Sequence, residues 1–166
     1  MGPGTGQEQN SGGIWGDVYL EVRPSTFVTN VRAASKLVPR QASSALFTHD
    51  EPATGLQALV RVELDVDSAT GGDFTLHLAL DDVAVALPIY VPQGVSHQVA
   101  VVAVPEPTLW WPWDLGEPYL YTLRVELQQA GAAISRFETE FGIRDLALDP
   151  HSGEWTVNGE RFFVRG

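Results

Sequence analysis

The chain has 166 residues, enough for one domain that buries roughly two-thirds of its unfolded surface. Ten Lys and Arg stand against 21 Asp and Glu, a formal net charge of −11 that opposes phosphate backbones and anionic membranes, so neither nucleic acid nor membrane is expected as a partner. Cysteine is absent, which removes disulfides, thiol chemistry and cysteine-ligated zinc, and no apolar run reaches the length of a membrane span. The chain therefore reads as soluble, in a compartment that the sequence leaves open.

Residues 1–13, MGPGTGQEQNSGG, are polar and Gly-rich, lack the basic and apolar regions of a signal peptide, and predict a flexible tail. Ile14 to Arg23 alternates Val18, Leu20 and Val22 against Tyr19, Glu21 and Arg23, a strand that Pro24 ends. Thr26 to Ser35 predicts a second strand with Phe27, Thr29, Val31 and Ala33 on one face. Between Lys36 and Leu56 the period fails among Pro39, Ser43-Ser44 and Pro52, which predicts a long surface loop, partly disordered.

Gln57 to Asp67 alternates cleanly, with Ala58, Val60, Val62, Leu64 and Val66 inward. Phe74, Leu76, Leu78 and Leu80 form the inner row of the next strand, Asp81-Asp82 a tight turn, and Val83, Val85, Leu87 and Ile89 the returning row. Val95 to Val104 is too uniformly apolar for its facing to be assigned. Phe137, Thr139 and Phe141 then alternate with Arg136, Glu138 and Glu140; Gly142 to Asp145 interrupts, and Leu146 and Leu148 continue. Glu154 to Arg165 reads as a hairpin whose Asn158-Gly159 suits a type I′ turn.

The most particular stretch is Leu109 to Gln128, LWWPWDLGEPYLYTLRVELQ. From Tyr119 onward its residues alternate as a half-buried antiparallel strand, while Pro112, Pro118 and the turn chemistry of Asp114 to Glu117 force a corner before it. A tyrosine near the start of such a strand ties the corner to upstream backbone in immunoglobulin-like sandwiches, and Tyr121 is favoured over Tyr119 for that role. Trp110, Trp111 and Trp113 are candidates for packing, for inter-domain contact, or for stacking on sugar rings. With no helical period and turn signals about every ten residues, the fold class is all-β, an immunoglobulin-like antiparallel β-sandwich.

Four pieces in one order, Ser11 to Val22, Leu109 to Leu127, FGIRDL at Phe141 to Leu146 and WTVNGERFFVRG at Trp155 to Gly166, resemble glycoside hydrolase family 2, the family of β-galactosidases, β-glucuronidases and β-mannosidases. Trp110-Trp111-Pro112 with Gly116 and Leu120-Tyr121 looks closest to the β-mannosidase branch. The resemblance implies that residues 14–23 close a preceding sugar-binding jelly-roll domain, that 24–148 form the sandwich, and that 149–166 form a hairpin leading into a catalytic barrel. Partners are then the flanking domains of a longer parent. Gly16 stands where the family often carries an arginine, so any contact of that arginine is absent.

Retaining glycoside hydrolysis needs two carboxyl groups about 5–5.5 Å apart, one of them kept protonated. The family takes both from the barrel, the acid following an asparagine, and this chain has no Asn-Glu dipeptide. Asp65, Asp67, Glu138 and Glu140 occupy outward strand positions, so no catalytic residue is nominated. His49, His77, His97 and His151 are scattered without metal-ligand spacing, and neither metal nor cofactor is expected. Arg144 and Arg165 resemble the family's arginines at the sandwich exit and at the first barrel strand; an ion pair is expected for Arg144. Three readings follow: a non-catalytic spacer of a retaining O-glycosidase, a carbohydrate-binding module that stacks sugars on Trp110, Trp111 and Trp113, or an extracellular adhesion-type sandwich with a protein partner.

Overall fold

In the computed structural model, which describes residues 16–18, 20, 22–39 and 55–163, all regular structure is antiparallel strand. The strands are β1 (Thr26–Pro39), β2 (Leu56–Ser68), β3 (Gly72–Leu80), β4 (Val83–Val91), β5 (Gly94–Pro105), β6 (Tyr121–Gln129), β7 (Ala132–Phe141), β8 (Leu146–Leu148), β9 (Trp155–Val157) and β10 (Glu160–Phe162). One sheet runs β1-β2-β5 and the other β4-β3-β6-β7, with a small third sheet β10-β9-β8 beside them. The chain changes sheet after β2, after β4 and after β5, which makes the pair an immunoglobulin-like β-sandwich.

The core follows from period two. Val60, Val62, Leu64 and Val66 of β2 face Leu76, Leu78 and Leu80 of β3 and Leu123, Val125 and Leu127 of β6, all essentially without solvent contact. At about 1.5–3 kcal/mol for each fully buried aliphatic side chain, this double row supplies most of the driving force for folding. The facing that the sequence left open in β5 resolves as Ala100, Val102 and Val104 inward, with Val95, Val99 and Val101 in solvent. Buried polar side chains among the described residues are Thr26 and Ser68, and they bond each other at 2.6 Å.

Four expectations need correction. In β1 the residues do not form a single row from Phe27 to Ala33. The register shifts between Val28 and Asn30, so Thr29 is an extra residue, and the inward row passes from Thr26 and Val28 to Val31 and Ala33. The same strand continues to Pro39, where the sequence predicted a loop from Lys36, because Lys36 to Pro39 pair with Leu59 to Leu56. Residues 40–54 of that loop lie outside the described residues, as do the predicted tail 1–13 and Val164 to Gly166. Third, Leu146 and Leu148 do not extend the sandwich but pair with Val157 and Trp155 in the small sheet. Strand β6 begins at Tyr121 rather than Tyr119, since Pro118 and the bonds around it occupy the preceding backbone.

The predicted first strand, residues 14–23, has Ile14, Trp15, Tyr19 and Glu21 outside the described set; its described residues join no sheet. Val18, Leu20 and Val22 are 74%, 92% and 88% exposed, an apolar row left largely to solvent among the described residues.

One side of the sandwich is stitched by two serines. Ser135 of β7 accepts the Val28 amide at 3.1 Å, and Ser35 of β1 both accepts the Arg144 amide at 3.0 Å and donates to the Arg144 carbonyl at 2.7 Å. These bonds satisfy backbone groups on β1 and after β7 that open sheet edges would otherwise leave to water.

Candidate functional site

Residues 110–118 form a closed loop: Trp110 bridges Pro118, the Trp111 amide donates to the Glu117 carbonyl at 3.0 Å, and Leu115 and Gly116 donate to the Pro112 carbonyl. Below it the Tyr121 hydroxyl accepts the Thr108 amide at 2.8 Å, and the Tyr119 ring meets Tyr121 edge-on at 5.0 Å between centroids. Tyr119 itself donates to Asp81 Oδ2 at 3.1 Å, while Asp81 Oδ1 accepts the Thr122 amide at 3.0 Å. Asp81, which the sequence offered only as turn chemistry, thus ties the β3–β4 turn to the corner.

The three tryptophans do not share one environment. Trp110 and Trp111 are half-buried, whereas Trp113 is 78% exposed. Backbone lies directly on the first two: a Cβ at Gly142 would stand 2.8 Å from the Trp110 ring atoms Cδ1 and Cγ, and one at Gly116 would stand 2.9 Å from Cβ and Cγ of Trp111. No side chain fits at either glycine without displacing a tryptophan. The Arg144 guanidinium also lies over the Trp110 ring, 4.5 Å from its centroid.

Trp110 is the hub of a further set of bonds. Its amide donates to the Ile143 carbonyl at 2.8 Å, and its carbonyl accepts Asn158 Nδ2 at 2.9 Å. Asn158 Oδ1 accepts the Asp145 amide at 2.9 Å, and the Asn158 amide donates to the Asp145 carbonyl at 2.7 Å. Asn158 and Gly159 take φ of 52° and 87°, so the turn that the Asn-Gly pair predicted is present and the asparagine does a second task. It fastens the β9–β10 hairpin to both the corner and the chain leaving β7. That second task could not be found in the sequence, because Asn158 and Trp110 are 48 residues apart.

Arg144 corrects an expectation. Asp145 is taken by Lys36 at 2.8 Å and Glu154 by Arg161 at 2.8 Å, and no carboxylate among the described residues pairs with Arg144. Arg165 lies outside the described residues. Asp65 and His97 meet on the outer face of β2 and β5, Nδ1 to Oδ1 at 3.0 Å, and no group of three potential metal ligands assembles among the described residues.

The sequence pattern of the glycosyl hydrolases family 2 matches residues 48–144, more than half of the chain. The chain belongs to glycosyl hydrolase family 2. Proteins similar to it include a β-mannosidase B from Aspergillus terreus, 32% identical over 155 residues that make up 92% of this chain and 16% of the relative. An exo-β-D-glucosaminidase from Hypocrea jecorina is 26% identical over 162 residues, 95% of this chain and 18% of the relative. The fold is also that of a solved β-D-mannosidase from Dictyoglomus thermophilum, with a TM-score of 0.63 at 20% identity over 88% of this chain and 17% of that one. The chain thus spans about a sixth of the length of these relatives.

Proposed function

We propose that this chain is the non-catalytic spacer of a multidomain family 2 glycoside hydrolase, a sandwich that holds a sugar-binding domain and a catalytic barrel at a fixed mutual orientation. The parent hydrolyses O-glycosidic bonds with retention, and the β-mannosidase B similarity favours a β-mannoside as its substrate. The observation that carries the reading is the pair of exposed apolar rows on either side of the sandwich in the chain. Val18, Leu20 and Val22 precede it; Leu146, Leu148 and Trp155, which are 46%, 48% and 40% exposed and share one face of the small sheet with the buried Val157, follow it. Exposed apolar rows of this kind are stable when another body covers them.

The polar chemistry agrees. A general acid for glycoside hydrolysis requires a carboxyl kept protonated by burial or by a like charge. Among the described residues the carboxylates with perturbed protonation, Asp65, Glu126 and Asp149, are all held below the ordinary range by hydrogen bonds, the opposite direction. Incubation of the chain with nitrophenyl β-mannoside and β-galactoside is expected to release no nitrophenol above buffer. Turnover that copurifies with the chain and is abolished by replacing one of its carboxylates would defeat the proposal.

A second reading, sugar stacking, has one observation in its favour, the exposure of Trp113. Trp110 and Trp111 contribute less to it, because Gly142, Arg144 and Gly116 already occupy ring surface. Titration with manno-oligosaccharides separates the two readings. A spacer leaves tryptophan fluorescence unchanged at millimolar sugar, whereas a binding module gives a saturable change that Trp113→Ala abolishes.

A further inference from the structure

We infer that Arg144 is a docking anchor that receives an Asp or Glu carboxylate from a neighbouring domain of the same polypeptide. The inference rests on the spacer reading and names the contact through which that spacer grips its neighbour. In a chain with twice as many acids as bases, arginines find partners easily, and Arg32, Arg61, Arg124, Arg136 and Arg161 each meet a carboxylate. Arg144 meets an aromatic ring instead. A cation–π contact engages the charge of a guanidinium but none of its five N–H donors.

The ring beneath Arg144 is itself fixed, by Gly142 against its atoms, by its amide on Ile143 and by Asn158 on its carbonyl. The side chain is half-buried, so much of the ordering needed to make a paired fork has already occurred before any partner arrives. Asp145 is unavailable as that partner because Lys36 holds it. Arg144 lines the cleft between β1 and the chain that follows β7, together with Ser35, Lys36 and Leu146. Leu146, opposite the buried Val157, also begins the partly exposed row that Leu148 and Trp155 continue, so a cationic fork stands at one end of an apolar row. Arginine and tryptophan beside an apolar centre are the composition of interface hot spots.

The partner is a single carboxylate on an apolar surface rather than a phosphate or sulfate. Asp145 in the same cleft and the net charge of −11 both penalise a second negative charge, whereas one carboxylate matches the fork in two parallel N–H···O bonds.

The test uses the polypeptide extended through the domain that follows the sandwich, in wild-type, Arg144→Ala and Arg144→Lys forms, with the 166-residue chain carrying the same substitutions as a folding control. Arg144→Lys keeps a cation beside Trp110 but loses the fork. The readouts are rotational correlation times of the two domains from ¹⁵N relaxation and the rate of proteolytic cleavage between them. The anchor predicts that wild type tumbles as one body, that Arg144→Ala raises cleavage about tenfold, and that Arg144→Lys falls between while the melting temperature of the 166-residue control is unchanged by lysine. Equal tumbling and cleavage in all three forms would overturn the anchor and leave the spacer standing. Two independently tumbling domains in the wild type would overturn both.

Discussion

Asn158 combines two demands that no other side chain meets. It occupies the left-handed region at φ 52°, which asparagine adopts at less cost than alanine, and its side-chain amide both donates to Trp110 and accepts from Asp145. Asn158→Gly keeps the turn and loses the side-chain bonds; Asn158→Ala loses the bonds and strains the turn. Each lost bond to a half-buried backbone group is worth about 1 kcal/mol, so glycine is expected to destabilise the hairpin by about 1–2 kcal/mol and alanine by about 1 kcal/mol more. Amide exchange in β9 and β10 measures this directly: protection there falls in both variants while β2 and β3 keep theirs. Ala130 is the converse case. It sits at φ 50° before Gly131, in the β6–β7 turn where Asn-Gly is the preferred pair. Ala130→Asn is therefore expected to raise stability by about 0.5–1 kcal/mol in a urea melt.

At the level of elements, the sandwich depends on how its edges are closed. Ser35 and Ser135 join β1 to β7 and to the chain after it through three hydrogen bonds to main chain. Replacing both with alanine strands a Val28 amide and both peptide groups of Arg144, a loss of about 2–3 kcal/mol at roughly 1 kcal/mol per bond. A double-mutant cycle on chemical melts reads this value. The serines occupy separate ends of the seam, so their effects are expected to add. The strands themselves were legible to different degrees. In β2 every second residue is Ala, Val or Leu and the intervening ones are mostly polar, so period two stood clear. In β5 valines fill both faces, and alternation vanished because Val99 and Val101 carry no polar signal on the outer side. In β1 one extra residue at Thr29 reversed the facing of everything after it, and bulges have no sequence mark strong enough to announce them. The corner was legible because prolines, glycines and tryptophans crowd into it. Gly142, Asp81 and Asn158 were not legible as its supports, because each acts on a partner remote in the chain.

The molecule as a whole is acidic, and its pH dependence follows from a few exposed networks. Asp65 is held low by His97, Asn30 and Arg32, Glu126 by Gln128 and Arg136, and Asp149 by the His151 amide and the Ser152 hydroxyl. Between their folded and unfolded values the unfolded chain binds more protons, so their contribution is present above the unfolded values and is lost as the pH falls through the folded ones. Tyr119 shifts the other way: its bond to Asp81 raises it, and that contribution is lost as the pH rises through its folded value. Melting temperature is expected to decline on the acid side, with a slope that Asp65→Asn reduces and that added salt weakens, since all these groups face solvent.

Membership of family 2 gives this chain a setting, and the Trp110–Asn158 junction gives it a mechanical property: the small sheet should move as one with the sandwich. Residual dipolar couplings of the 166-residue chain test that property most directly. The spacer account predicts that amides in β8, β9 and β10 fit the same alignment tensor as those in β2, β3 and β6, with equal order. A separate tensor, or couplings in β8 to β10 averaged toward zero, would show a hinge where the account requires a rigid joint, and would contradict it.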